Sequence, residues 1–225
     1  MHFILWEIYM SYEFEYIAFA LMGYFLGSIL FAKVFGYVFT KEDITLKAKD
    51  KNPGTFNAYS VGGFWCGTLT VICELAKGMV PVFLCLNYVD VKYNNEVLMA
   101  LVMLSPIIGH ILPIFHGFRG GKGIAVTFGS LLGFLVDLRP ALLLAIVFIV
   151  FSLILIIKPD YYKTMITFIV AALIAPFIGY RTAIVITYVA AAIIVCIKLF
   201  LSKEEKESFR LSFIKWDIIG EKEGQ

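Results

Sequence analysis

Seven apolar stretches separated by short polar segments constrain this chain more than any single motif. They run over roughly residues 16–39, 64–87, 97–115, 123–136, 139–157, 164–180 and 182–201. About 20 such residues are enough to cross a bilayer as a helix. Hydrocarbon offers no hydrogen-bond partners, so the spanning segments must satisfy their own backbone groups, as helices do. With 60% hydrophobic and only 16% charged residues, a soluble domain of this size could not bury its apolar surface. The expected fold is an all-α integral membrane protein, a seven-transmembrane-helix bundle. It forms a single transmembrane domain over residues 1–225.

Charge placement orients the bundle. Loops 40–63, 116–122 and 158–163, the tail 202–225 and the span ends at Lys33 and Lys198 hold 15 of the 19 Lys and Arg residues. Lys92, Arg139 and Arg181 lie on the other side, and Lys77 lies within a span. The positive-inside rule assigns the rich side to the cytoplasm. Residues 1–15 then form an external N-terminal segment and residues 202–225 a cytoplasmic tail. Residues 1–15 contain no Lys or Arg, unlike the basic start of a signal peptide. The tail mixes charges with Phe209, Leu211, Phe213, Ile214, Trp216, Ile218 and Ile219, which suits a segment lying against anionic lipid.

Lys77 falls in the middle of the second stretch. A cation near the centre of a membrane helix costs about 2.5–3.5 kcal/mol on insertion scales. Glu74, three residues earlier, shares its helix face. The pair reads either as a buried ion pair joining helices or as part of a polar site. Gly23/Gly27, Gly63/Gly67 and Gly129/Gly133 supply three G-x-x-x-G spacings, the small-residue pattern of close helix packing. Cys66, Cys73, Cys85 and Cys196 all fall within spans without ligand spacing, so they read as packed thiols. No metal and no cofactor is expected.

Two polar segments carry candidate chemistry, both on the basic side. Asp50-Lys51-Asn52-Pro53-Gly54-Thr55-Phe56-Asn57 combines a Pro-Gly turn with amide and hydroxyl side chains. Gly109-His110-Ile111-Leu112-Pro113 leads to Phe118-Arg119-Gly120-Gly121-Lys122-Gly123. Glycines around an Arg and a Lys, opening into a helix, suit a phosphate group. Backbone N–H groups can converge there, the helix end is positive, and two full charges are added. Walker A is excluded, because His116 and Gly123 occupy two of its required positions. His110 titrates near neutral pH and reads either as a structural group or as a proton acceptor.

Taken together, these segments resemble the bacterial membrane-integral, acyl-phosphate-dependent glycerol-3-phosphate acyltransferases. The matching residues are Gly27-Ser28, Asn52-Pro53-Gly54…Asn57, Gly62-Gly63, Glu74-x-x-Lys77-Gly78-x-x-Pro81-Val82, Gly109-His110-x-x-Pro113 and Phe118-Arg119-Gly120-Gly121-Lys122-Gly123. They run in order across residues 20–135. The resemblance implies a multi-pass protein of the bacterial plasma membrane whose active site faces the cytoplasm. It further implies acyl transfer from acyl phosphate to the 1-hydroxyl of glycerol 3-phosphate, giving lysophosphatidic acid for phospholipid biosynthesis. On that reading His110 and Lys122 are catalytic. Asn52, Gly54, Asn57, Lys77, Arg119, Gly120, Gly121 and Gly123 bind substrate, while Ser28 and Glu74 give polar support. The partners are the two substrates and membrane lipid, with no nucleic acid.

The chain departs from the family pattern in three places. Lys49-Asp50-Lys51-Asn52 replaces a Gly-Ser-Gly-Asn run, Thr45 stands where the family has Arg, and Arg210 and Phe213 align with a tail His and Asn. The alternative expectation is a divergent paralogue with another acceptor or no turnover. A further one is a small phosphate-binding membrane transporter or scaffold, although the internal repeat expected of a transporter is not found.

Overall fold

The computed structural model describes residues 2–48, 50–89, 94–202 and 208–213. Its main elements are α1 (His2–Gly27), α2 (Phe31–Thr40), α3 (Ile44–Lys47), α4 (Thr55–Tyr88), α5 (Glu96–Ile111), α6 (Ile124–Leu132), α7 (Arg139–Ile149), β1 (Leu155–Lys158), α8 (Asp160–Ile174), α9 (Thr182–Phe200) and β2 (Arg210–Phe213). Helix α5 is the axis of the bundle, packing against α1, α4, α6 and α9. Met99, Met103, Ile107 and Val126 are fully buried around it. Large apolar side chains such as Phe25, Trp65, Leu142 and Ile193 face outward, as expected where the surrounding solvent is lipid.

The helix boundaries follow local chemistry. Asn95 caps α5 by accepting from the Val97 and Leu98 N–H groups at 3.1 Å each. Glu96, in the first turn, also holds Arg181 at 2.7 Å and the Ala183 N–H at 2.9 Å. It thereby ties the start of α5 to the start of α9. Asp43 caps the short α3 through the Thr45 N–H at 2.9 Å. Helix α4 bends at Gly63, whose φ of 81° lies in the left-handed region. The bend falls where the second apolar stretch begins, so residues 55–62 are a separate approach to the longer helix.

Close backbone contact joins α4 to α6. A Cβ on Gly129 would lie 2.1 Å from the Leu75 carbonyl oxygen, and one on Gly78 2.4 Å from the Val126 oxygen. Only glycine permits this approach. Gly23 and Gly27 likewise meet Ser105 and Pro106 on α5, whereas Gly67 faces the Tyr59 ring of its own helix. Thus Gly23/Gly27 and Gly129/Gly133 lie at contacts between helices, and Gly63/Gly67 does not.

Several expected spans differ from the structure. Among the described residues, four helical stretches are long and apolar enough to cross a membrane: Tyr12–Thr40, Thr55–Tyr88, Glu96–His116 and Thr182–Phe200. Helix α1 starts at His2, so residues 2–15 are continuous with the first helix. The chain also breaks between α1 and α2. Helix α6 has nine residues, only about 13 Å at 1.5 Å per residue, because its apolar stretch ends in Gly133 and a turn. Helix α7 passes through a π-helical turn, Val150–Ile154, into strand β1, so the fifth span is helical only to residue 154. Strand β1 pairs antiparallel with β2, with Lys158 opposite Arg210. Part of the tail is therefore a strand, with Phe209 against Tyr162 at 5.5 Å between ring centroids. Ile214, Trp216, Ile218 and Ile219 lie outside the described residues, as does Lys92.

Because α4 and α6 touch through their backbones, Gly129→Val is expected to force them apart. Overpacking of this kind costs about 1–3 kcal/mol or more. A lowered unfolding midpoint in detergent, followed by circular dichroism, is the measurement that checks it.

Candidate active site

Between Gly27 and Phe31 the first membrane helix stops and restarts, leaving carbonyls without partners at the end of α1 and amides at the start of α2. A buried cluster meets both ends. Lys77 Nζ donates to the Gly27 oxygen at 2.9 Å and the Ile29 oxygen at 2.6 Å. Glu74 Oε1 accepts the Phe31 N–H at 3.2 Å. The cation thus sits at the negative end of one helix and the carboxylate at the positive end of the next. Their charges lie 2.9 Å apart, and the Phe31 ring lies 5.7 Å from the ammonium. Lys77 is 3% exposed and Glu74 1%.

His110 completes this cluster. Its Nδ1 lies 3.0 Å from Lys77 Nζ and 2.9 Å from Glu74 Oε2. Oε2 makes these approaches obliquely, without an aligned hydrogen bond, so charge attraction holds it. Nδ1 is thus held between an ammonium donor and a carboxylate acceptor, which leaves Nε2 as the ring's other nitrogen. That nitrogen faces Gly121, where a Cβ would fall only 2.2 Å from it. His110 is 5% exposed.

The glycine turn lies directly over the ring. The Gly121 N–H donates to the His110 oxygen and the Gly120 N–H to the Ile111 oxygen, both at 3.2 Å. These amides satisfy the end of α5. Each of these two amides is thus committed to a carbonyl of the preceding helix. Lys77 lies beneath the turn with His110 against it, and it staples the Gly27 and Ile29 carbonyls. Ser28, also buried, donates to the Tyr24 oxygen at 2.9 Å and accepts from the Ile114 N–H at 3.3 Å. It joins the helix break to the approach of the turn.

Lys122 and Arg119 differ from Lys77 in position. Arg119 is exposed. Lys122 is half-buried, and its Nζ lies 3.2 Å from Asp50 Oδ2. Asp50 Oδ1 accepts from Asn57 Nδ2 at 2.6 Å and from the Asn52 N–H at 3.2 Å. Asn57 Nδ2 also reaches the Asn52 oxygen at 2.7 Å, which accepts the Gly54 N–H at 2.9 Å. The structure thus joins Asn52, Gly54, Asn57 and Lys122 through Asp50, and Gly123 follows with a φ of 83° at the start of α6. Burial alone would raise the Asp50 carboxyl. The bonds from Asn57 and Asn52 and the Lys122 charge outweigh it, so its pKa lies below the usual carboxylate value. The stability contributed by this charged link is present at neutral pH and fades as pH falls through the lowered value.

Asp50 was not among the expected site residues, although an Asp starting a Pro-Gly turn between two lysines was the available signal. Lys49 lies outside the described residues. Thr45 donates its hydroxyl to Asp43 Oδ1 at 2.7 Å, and Asp43 pairs with Lys33 at 2.9 Å. Arg210 and Phe213 are exposed on β2. Among the described residues no group of three His, Cys, Asp or Glu side chains is placed to hold a metal, and the four cysteines are free thiols.

Removing one partner of a buried pair strands the other charge, at about 3–5 kcal/mol. Lys77→Met is expected to destabilise the protein by about that much and lower its unfolding temperature, with Lys77→Met/Glu74→Leu recovering part of the loss. Thermal unfolding in detergent measures both.

The family described as glycerol-3-phosphate acyltransferase matches residues 17–205. The glycerol-3-phosphate acyltransferase of Francisella tularensis subsp. novicida (strain U112) is 40% identical over 114 residues, covering 51% of this chain and 53% of that protein. That of Francisella philomiragia subsp. philomiragia is 40% identical over 112 residues, covering 50% and 52%. The matches thus span about half the length of these curated relatives. Among solved structures, PlsY (YgiH), an integral membrane glycerol 3-phosphate acyltransferase in its glycerol 3-phosphate form, superposes with a TM-score of 0.69 at 22% identity over 81% of this chain and 87% of that one. Its lysophosphatidic acid form gives 0.63 at 24% identity with the same coverage. These likenesses show a shared fold, and the match over most of its length places the chain in the glycerol-3-phosphate acyltransferase family.

Proposed function

We propose that this protein transfers a fatty acyl group from acyl phosphate to the 1-hydroxyl of glycerol 3-phosphate, forming lysophosphatidic acid and inorganic phosphate. The observation that carries this reading is the meeting of Lys122, just before α6, with Asp50 of the first loop, which Asn52 and Asn57 hold in place. Arg119 lies exposed on the same glycine turn. Both substrates carry phosphate, and these cations match it.

In the proposed reaction the hydroxyl oxygen attacks the carbonyl carbon of the mixed anhydride. The new C–O bond forms, the bond from that carbon to the phosphate oxygen breaks, and phosphate departs with the electron pair. Lys122 and Arg119 stabilise the departing charge, while Asn52, Gly54, Asn57 and Gly123 shape the polar wall that seats the acceptor. The hydroxyl proton goes to the leaving phosphate. His110 is poorly placed to take it, with Nδ1 beside the Lys77 ammonium and Nε2 against Gly121. His110 acts instead by supporting the turn from below, as do Gly120 and Gly121.

The same reading places one seven-crossing domain in the bacterial plasma membrane, with the N-terminus outside and the site facing the cytoplasm. Its support is the concentration of Lys and Arg on the side that bears the site. The acyl chain lies among the helices or in lipid while its phosphate reaches the turn. One observation favours a second reading, a paralogue with a different acceptor or no turnover: Lys122 is paired with a carboxylate.

The purified protein supplied with acyl phosphate and glycerol 3-phosphate is expected to release phosphate and form lysophosphatidic acid in equal amounts. Lys122→Ala and Arg119→Ala are each expected to reduce turnover about 100-fold or more, with the unfolding midpoint unchanged in Arg119→Ala and lowered only slightly in Lys122→Ala by loss of the part-exposed pair with Asp50. Phosphate release without lysophosphatidic acid identifies hydrolysis or another acceptor, and no release supports the inactive paralogue. Full activity in both variants removes the glycine turn as the phosphate site.

A further inference from the structure

The Lys122–Asp50 pair has an asymmetry that assigns its partners different freedom. Asp50 is pinned from behind, its Oδ1 held by Asn57 Nδ2 at 2.6 Å and the Asn52 N–H at 3.2 Å. Lys122 ends a flexible four-carbon stem and can pivot. An incoming anion therefore competes with a fixed internal carboxylate for a movable ammonium. Two other roles for Asp50 fit less well. As a cross-link alone, a pair with side chains 16% and 28% exposed adds little stability. As a proton acceptor, a carboxylate with two donors on one oxygen and a cation on the other is stabilised in its charged form, which makes it a weak base.

We propose that Asp50 is a specificity-determining counter-ion, occupying Lys122 until a substrate phosphate displaces it and thereby rejecting carboxylates at the phosphate site. The discrimination follows from charge exchange. A carboxylate entering the site would replace Asp50 on Lys122 like for like while being repelled by it, with no net gain. A phosphate dianion brings nearly twice the charge and three acceptor oxygens, which Lys122 and Arg119 meet together. In a membrane, where acyl phosphates and free fatty acids share the same acyl chain, this pairing separates an activated donor from its hydrolysis product by head group. The inference rests on Lys122 being the phosphate contact of the proposed reaction.

The test uses the full chain in lipid nanodiscs, titrated calorimetrically with inorganic phosphate and, separately, with butyrate. Wild-type protein is expected to bind phosphate and not butyrate. Asp50→Asn keeps the Oδ1 acceptor and removes the charge, so phosphate should bind about tenfold tighter and butyrate binding should appear. Adding Lys122→Ala to Asp50→Asn should abolish both gains, which a merely structural role for Asp50 would not require. Asp50→Ser carries the same expectation if Asp50→Asn fails to fold. The proposal is overturned if folded Asp50→Asn binds phosphate no more tightly than wild type, or if neither variant folds. If Lys122→Ala alone binds phosphate as wild type does, the proposed function itself loses its phosphate contact and the inference falls with it. Loss of phosphate binding in Lys122→Ala with no gain in Asp50→Asn removes only the inference.

Discussion

A helix that stops and restarts inside an apolar bundle exposes backbone groups that hydrocarbon cannot satisfy, and the Glu74–Lys77 pair answers that problem here. Neither charge would be tolerated alone at 1–3% exposure. Together they neutralise each other while each takes the helix end of opposite sign. The break between Gly27 and Phe31 is therefore a built feature. It presents Ser28 to the segment leading into the glycine turn and lets Lys77 hold His110 in place. The position of the turn depends on this staple, because the turn rests on the His110 ring and bonds to its carbonyl.

The polar residues of this bundle separate into two layers. Glu74, Lys77 and His110 are enclosed and engaged with one another and with the helix ends, and they fix geometry. Asp50, Asn57 and Lys122 lie above them at the turn, where the first loop and the start of α6 meet. Gly121 forms the boundary, with no room for a side chain between the layers. In the proposed reaction substrate charge meets the upper layer, while the lower one fixes where that layer stands.

Much of this was legible in the sequence, and the remainder fails for identifiable reasons. The run from Phe64 to Leu86 and the Glu74/Lys77 spacing marked a membrane helix with a paired charge. Spacing along one helix could not reveal that the partner groups are the Gly27 and Ile29 carbonyls, about 50 residues away. The helix break itself was hidden because residues 28–30 are as apolar as their neighbours apart from Ser28. Glycine content at 120–123 correctly marked a turn, but composition does not say whether amides face a ligand or the preceding helix. Asp50 escaped notice because its importance comes from Lys122, 72 residues later in the chain. Helix α6 is short because Gly133 and the following turn end it, although hydropathy runs on to residue 136.

The most direct measurement is an experimental structure of the protein bound to a non-hydrolysable acyl phosphonate. The phosphonate oxygens are expected within hydrogen-bonding distance of Lys122 and Arg119, with Lys77 still on the Gly27 and Ile29 carbonyls. A phosphonate seated against Lys77, with those carbonyls released, would contradict that expectation.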